Sequence, residues 1–63
     1  PARAREIVIL RIGAVLDSDY EWGRHVPRAR DAGLTDTDLR SLRDGAFDQL
    51  EDDDALVARE CAA

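Results

Sequence analysis

The ten-residue stretch Ile7–Leu16 constrains this chain more than any other feature. Arg11 is its only charge, and Ile7, Val8, Ile9, Leu10, Ile12, Ala14, Val15 and Leu16 put apolar surface on every side. A buried strand also reads as a short apolar run rich in β-branched residues. Length favours a helix here. Arg3, Arg5 and Glu6 lead into the run, so the pattern predicts a helix over Ala2–Leu16. A helix apolar all round needs cover on all sides, and a chain of 63 residues has little surface to give. The expectation is an all-α bundle of short helices, completed by self-association or by further segments.

Composition removes several classes of function. The net charge is −5, with nine arginines and no lysine, which argues against nucleic acid and anionic membrane as partners. Cys61 is the only cysteine, so the chain cannot form an internal disulfide, a Cys-x-x-Cys redox pair or a Cys-rich zinc site. A reducing, cytoplasmic setting fits that usage. No apolar run reaches membrane-spanning length. The chain reads as a single helical domain, 1–63. Because it begins with Pro1 rather than Met, it also reads as part of a longer one.

Downstream, the punctuation is regular. Asp17-Ser18-Asp19 breaks the first helix, and any of the three can cap the next by accepting a backbone N–H. A second helix is predicted over Tyr20–Ala32, with a bend where Pro27 denies the Gly23 carbonyl its donor, and Gly33 as its left-handed stop. Thr35 and Asp38 form an aspartate version of the capping box, with Leu34 and Leu39 as the hydrophobic staple. The third helix therefore covers Asp36–Asp44 and stops at Gly45, with Leu39, Leu42 and Ala46 facing inward. Phe47 and Leu50 anchor the following loop. Asp52, Asp53 and Asp54 open a fourth helix, whose apolar side is read as Leu56, Val57 and Cys61.

Within the second helix, Glu21 and His25 are one turn apart on the apolar side, at about 6 Å between Cβ atoms. A carboxylate there can orient the imidazole and leave it able to exchange a proton near neutrality. The structural alternative is an ion pair that packs beside Trp22. Asp17-x-Asp19-x-Glu21 fails as a calcium loop, because Trp22 stands at the glycine position and Arg28 at the bidentate glutamate position. Glu21 and His25 alone are too few to hold a metal. Neither metal nor cofactor is expected. Ala29-x-x-x-Gly33 followed by Leu39 has helix-turn-helix spacing, but Thr35-Asp36-Thr37-Asp38 would turn carboxylates toward phosphates. Arg24 and Arg28 read as solvated surface arginines.

The stretch Arg5–Arg43, REIVILRIGAVLDSDYEWGRHVPRARDAGLTDTDLRSLR, resembles the carboxymuconolactone decarboxylase family, within the alkylhydroperoxidase D-like superfamily. The redox branch of that superfamily carries a glutamate, eleven residues, then Cys-x-x-Cys-x-x-x-His. In that register Glu6 matches the glutamate, Ser18 the first cysteine, Glu21 the second and His25 the histidine. The most specific part runs from Tyr20-Glu21-Trp22 through His25-Val26-Pro27 to Ala32-Gly33-Leu34.

The resemblance implies a homo-oligomer, trimer or hexamer, and a small carboxylated lactone or related acid as substrate. It also implies a proton-handling set of His25, Glu21 and Glu6, with Trp22, Tyr20 and Ser18 on the substrate side. In this reading Glu21 orients His25, and Glu6 is the supporting acid. Thiol peroxidase chemistry needs one thiolate to attack peroxide and a second thiol to resolve it, and Ser18 and Glu21 can do neither. A non-catalytic oligomeric scaffold of the same fold is the alternative. A cavity reaching Glu21 and His25 favours the enzyme, and tight packing over them favours the scaffold.

Overall fold

The structure, a computed structural model, describes residues 1–61. Four α-helices form: α1 (Ala2–Val15), α2 (Asp19–Asp31), α3 (Asp36–Asp44) and α4 (Asp52–Glu60). A single 3₁₀ turn, Phe47–Gln49, lies between the last two, and the described residues contain no strand. The helical reading holds over Ile7–Val15, with Leu16 as the cap that ends the helix, and the breaks fall where the turn residues put them.

Each break has a local cause. Asp17 adopts a left-handed conformation (φ 54°), one that Asp tolerates better than most residues. Of the three candidate caps Ser18 does the work, its hydroxyl accepting from the Glu21 N–H at 3.3 Å. α2 then runs unbroken through Pro27 to Asp31. At its end the Leu34 N–H reaches back to the Ala29 carbonyl and the Gly33 N–H to that of Arg30, with Gly33 left-handed at φ 97°. That is the Schellman pattern, and it needs glycine at this position. The capping box opens α3 as expected: Asp38 N–H donates to Thr35 Oγ1 and Thr35 N–H to Asp38 Oδ2. Gly45 closes the helix at φ 75°.

α2, α3 and α4 all pack on α1. Ile7, Leu10, Ala29, Leu34, Leu39, Leu42, Leu50, Ala55 and Ala58 form one core, edged by Trp22, Val26, Phe47 and Val57. α1 is therefore covered on one face only. Glu6, Ile7, Leu10 and Gly13 are buried, while Ile12, Val15 and Leu16 remain open.

Two expectations about inward faces are corrected. Ala46 lies beyond α3, after the chain has turned at Gly45, and is exposed. In α4 the buried residues are Asp54, Ala55 and Ala58; Val57 packs at the edge of the core as expected, whereas Leu56 is 60% exposed. The cause is an ion pair. Arg3 of α1 grips Asp54 with two nitrogens, Nε at 3.1 Å from Oδ1 and a terminal nitrogen at 2.7 Å from Oδ2. A bidentate arginine–carboxylate contact fixes orientation as well as distance, and it turns α4 so that the small alanines face α1.

Candidate functional site

Glu6 is the least expected buried residue. It is a carboxylate 1% exposed, in the middle of the buried face of α1. A buried charge persists only if it is paired. Its partner is His25 of α2, whose Nδ1 lies 2.7 Å from Glu6 Oε1. Arg5 adds a second contact, its Nε donating to Glu6 Oε2 at 3.3 Å. Burial alone pushes the Glu6 carboxyl up. The hydrogen bonds from His25 and Arg5, with the charges behind them, outweigh burial and hold it below the ordinary glutamate value. An ionised carboxylate can only accept, so His25 Nδ1 carries a hydrogen and donates it. The ring's orientation and the state of Nδ1 are thereby set.

The other ring nitrogen faces Glu21. His25 Nε2 is 3.6 Å from Glu21 Oε2, within ion-pair range but beyond a good hydrogen bond. The three residues form a line from buried to wet: Glu6 inside, His25 8% exposed, and Glu21 with 45% of its side chain open. Glu21 is free for this position because the usual task of a third-position glutamate, accepting from the cap's N–H, is absent. The Ser18 N–H is already bonded to the Gly13 carbonyl at 2.8 Å.

The structure thus brings together Glu6, His25 and Glu21. Glu6 makes the shorter contact with the imidazole, and Glu21 is the outer, more loosely held carboxylate. Spacing along one helix shows that Glu21 and His25 are neighbours, but not which carboxylate faces Nδ1.

Beside this line lies a cleft of about 210 Å³, lined by Gly13, Ala14, Asp17, Ser18, Asp19, Trp22, Arg43 and Asp44. Ser18 and Trp22, which the resemblance puts on the substrate side, are among its lining residues. Tyr20 does not line the cleft; it is 70% exposed and its hydroxyl accepts from Arg24 at 3.4 Å. His25 and Glu6 do not line it either. The nearest link is Gly13, where an added Cβ would lie 3.6 Å from the Glu21 Cβ. Arg43, which the sequence reading did not single out, supplies the only cation among the lining residues. Its guanidinium lies over the Trp22 ring, 5.1 Å being the comparable distance of Arg11 from Phe47 and 5.3 Å its own. No pattern in α3 separates Arg43 from a surface arginine; the contact exists only once α2 and α3 are packed.

No group of three or more His, Cys, Asp or Glu among the described residues is arranged to hold a metal ion. Cys61 lies at the end of α4, its Sγ 3.1 Å from the Val57 carbonyl, on a different helix from Ser18 and Glu21.

A small all-helical domain carrying a buried Glu–His pair across its first two helices is the class defined by this fold and site. The sequence model of the Carboxymuconolactone decarboxylase family matches the chain over residues 1–63, and the chain belongs to that family. The alkylhydroperoxidase D-like superfamily is consistent with that membership. No curated protein and no solved structure matches the chain. Among the described residues no helix is long and apolar enough to cross a membrane.

The lowered Glu6 carboxyl gives a pH prediction with a definite sign. A carboxylate held below its unfolded value adds stability above that value, 4.5 for glutamate, and the contribution disappears as pH falls through the folded one. The urea midpoint should therefore drop as pH falls below 4.5. In Glu6→Gln the drop should be shallower, and equal slopes would contradict the assignment.

Proposed function

We propose that this chain is a carboxymuconolactone decarboxylase-like enzyme that removes CO₂ from a small carboxylated lactone or related acid by Glu/His proton transfer. One observation carries the reading: the Glu6–His25–Glu21 line has a buried, ionised end and a half-exposed end. Loss of CO₂ leaves an electron pair on carbon, spread into the neighbouring carbonyl as an enolate, which must then be protonated. His25 can deliver that proton from Nε2 while Glu6 stabilises the imidazolium from Nδ1. Glu21, open to solvent, restores the proton. Ser18 and Trp22 would hold the substrate in the neighbouring cleft, with Arg43 as its cation. The test is release of CO₂ from carboxymuconolactone by the purified chain.

A second reading has its own support. The cleft is not lined by His25 or Glu6, which favours a scaffold that keeps the pair to hold α1 and α2 together. Under either reading we expect self-association, as a trimer or hexamer, in a cytoplasmic setting.

A thiol-dependent hydroperoxidase is not supported, because Cys61 has no second thiol to resolve it. Hydrogen peroxide and alkyl hydroperoxides should not be turned over, and Cys61→Ser should leave any turnover unchanged. Peroxidase activity abolished by that substitution would refute the assignment of Ser18 and Glu21 to the two cysteine positions.

A further inference from the structure

Gly13 is a glycine that neither the backbone nor the packing demands. It lies inside α1 and is buried there, in ordinary helical conformation, unlike the left-handed Gly33 and Gly45. A glycine within a helix is less stable than alanine, because it has more backbone freedom to lose. Close packing does not explain it either. A Cβ at Gly13 would meet the Glu21 Cβ at 3.6 Å, the Trp22 backbone nitrogen at 3.9 Å and the Ser18 carbonyl oxygen at 4.0 Å, all ordinary van der Waals separations. At Gly33 and Gly45 the same atom would come within 3.1 Å of an arginine side chain. A methyl group therefore fits at Gly13, yet the space is left open. A position that breaks a local rule without a structural reason points to function.

The place of that space gives it a use. Gly13 lines the cleft from α1, Ser18 and Trp22 line it from the start of α2, and Arg43 lines it from α3. The atoms around the missing Cβ belong to Ser18, Glu21 and Trp22, and of these three residues only Glu21 stands outside the cleft lining. The recess over Gly13 is thus where the cleft comes closest to Glu21. Glu21 Oε2 in turn faces His25 Nε2 at 3.6 Å. The smallest side chain, a single methyl, would fill the recess.

We infer that Gly13 is a specificity-determining residue: its recess admits one carbon- or oxygen-sized group of a molecule seated in the cleft and sets that group against Glu21, on the Nε2 side of His25. The chemical class of that molecule, a small acid, rests on the decarboxylase reading above. Gly13 adds a limit of shape, a compact unbranched end that enters a space one methyl deep.

Access to His25 can be measured without a substrate. His25 is the only histidine, so its carbethoxylation by diethyl pyrocarbonate can be followed by ultraviolet absorbance. Nδ1 is held against Glu6, which leaves Nε2 to react. Gly13→Ala should slow the reaction about tenfold, the usual effect of one methylene in a fitted pocket, while its urea midpoint stays level or rises. Gly23→Ala is the control. Gly23 is exposed within α2, and a Cβ there meets nothing within 4 Å. That variant should keep the wild-type rate. For CO₂ release from carboxymuconolactone, kcat/KM should fall by the same factor in Gly13→Ala alone. Equal carbethoxylation of wild type and Gly13→Ala, or the same slowing in Gly23→Ala, would overturn the recess. A lower urea midpoint for Gly13→Ala would also overturn it, since packing would then need the glycine. Slowed carbethoxylation in Gly13→Ala with no CO₂ release by the wild type would uphold the recess and overturn the decarboxylase reading instead.

Discussion

Replacing Glu6 with alanine should destabilise the chain by about 3–5 kcal/mol, the usual effect of removing one member of a buried ion pair. The substitution leaves His25 Nδ1 without its acceptor inside the core and empties the space beside Ile7 and Leu10. A domain of this size is stable by only roughly 3–9 kcal/mol, so the variant should sit near or past its unfolding midpoint. Glu6→Gln keeps an acceptor for the Nδ1 hydrogen and should lose less, about 1–3 kcal/mol. The pairing Glu6→Leu with His25→Leu is the informative control. Replacing both charges by apolar side chains is often neutral or stabilising. The double variant should therefore recover most of the loss while abolishing any proton chemistry. Urea unfolding followed by circular dichroism measures all three. Glu6→Ala within about 1 kcal/mol of wild type would mean that the pair does not hold α1 to α2.

Local chemistry made much of the fold legible. Thr35, Asp38, Leu34 and the two left-handed glycines each act within a few residues of themselves, so their turns could be read directly. The orientation of α4 could not. Its sequence offers Leu56, Val57 and Cys61 as an apolar side, and only the contact of Asp54 with Arg3, 51 residues away, turns Ala55 and Ala58 inward. The same holds for α1. Its apolar run implies cover all round, yet the chain closes over Glu6, Ile7 and Leu10 and leaves Ile12 and Val15 open.

For the site, the Glu21–His25 spacing was visible because both lie on one helix. Glu6 looks in sequence like a charge leading into an apolar run. Its burial depends on His25, 19 residues on, and only family resemblance links the two positions. The closer contact of Glu6 than of Glu21 with His25 and the seat of Arg43 over Trp22 are likewise products of helix packing. Tyr20, placed on the substrate side by the resemblance, lies at the first turn of α2 and points outward, toward Arg24.

His25→Gln should have the largest effect on chemistry. Glutamine keeps approximate size and can still donate to Glu6, but it cannot carry a proton from Glu21 to substrate, so turnover should fall by about 10²-fold or more. The most direct measurement is CO₂ release from carboxymuconolactone by wild type and His25→Gln, made on samples matched for helical content and molecular mass. The account predicts turnover by the wild type and a loss of that size in a variant that remains folded. Equal turnover by a folded His25→Gln, or none by the folded wild type, would contradict it.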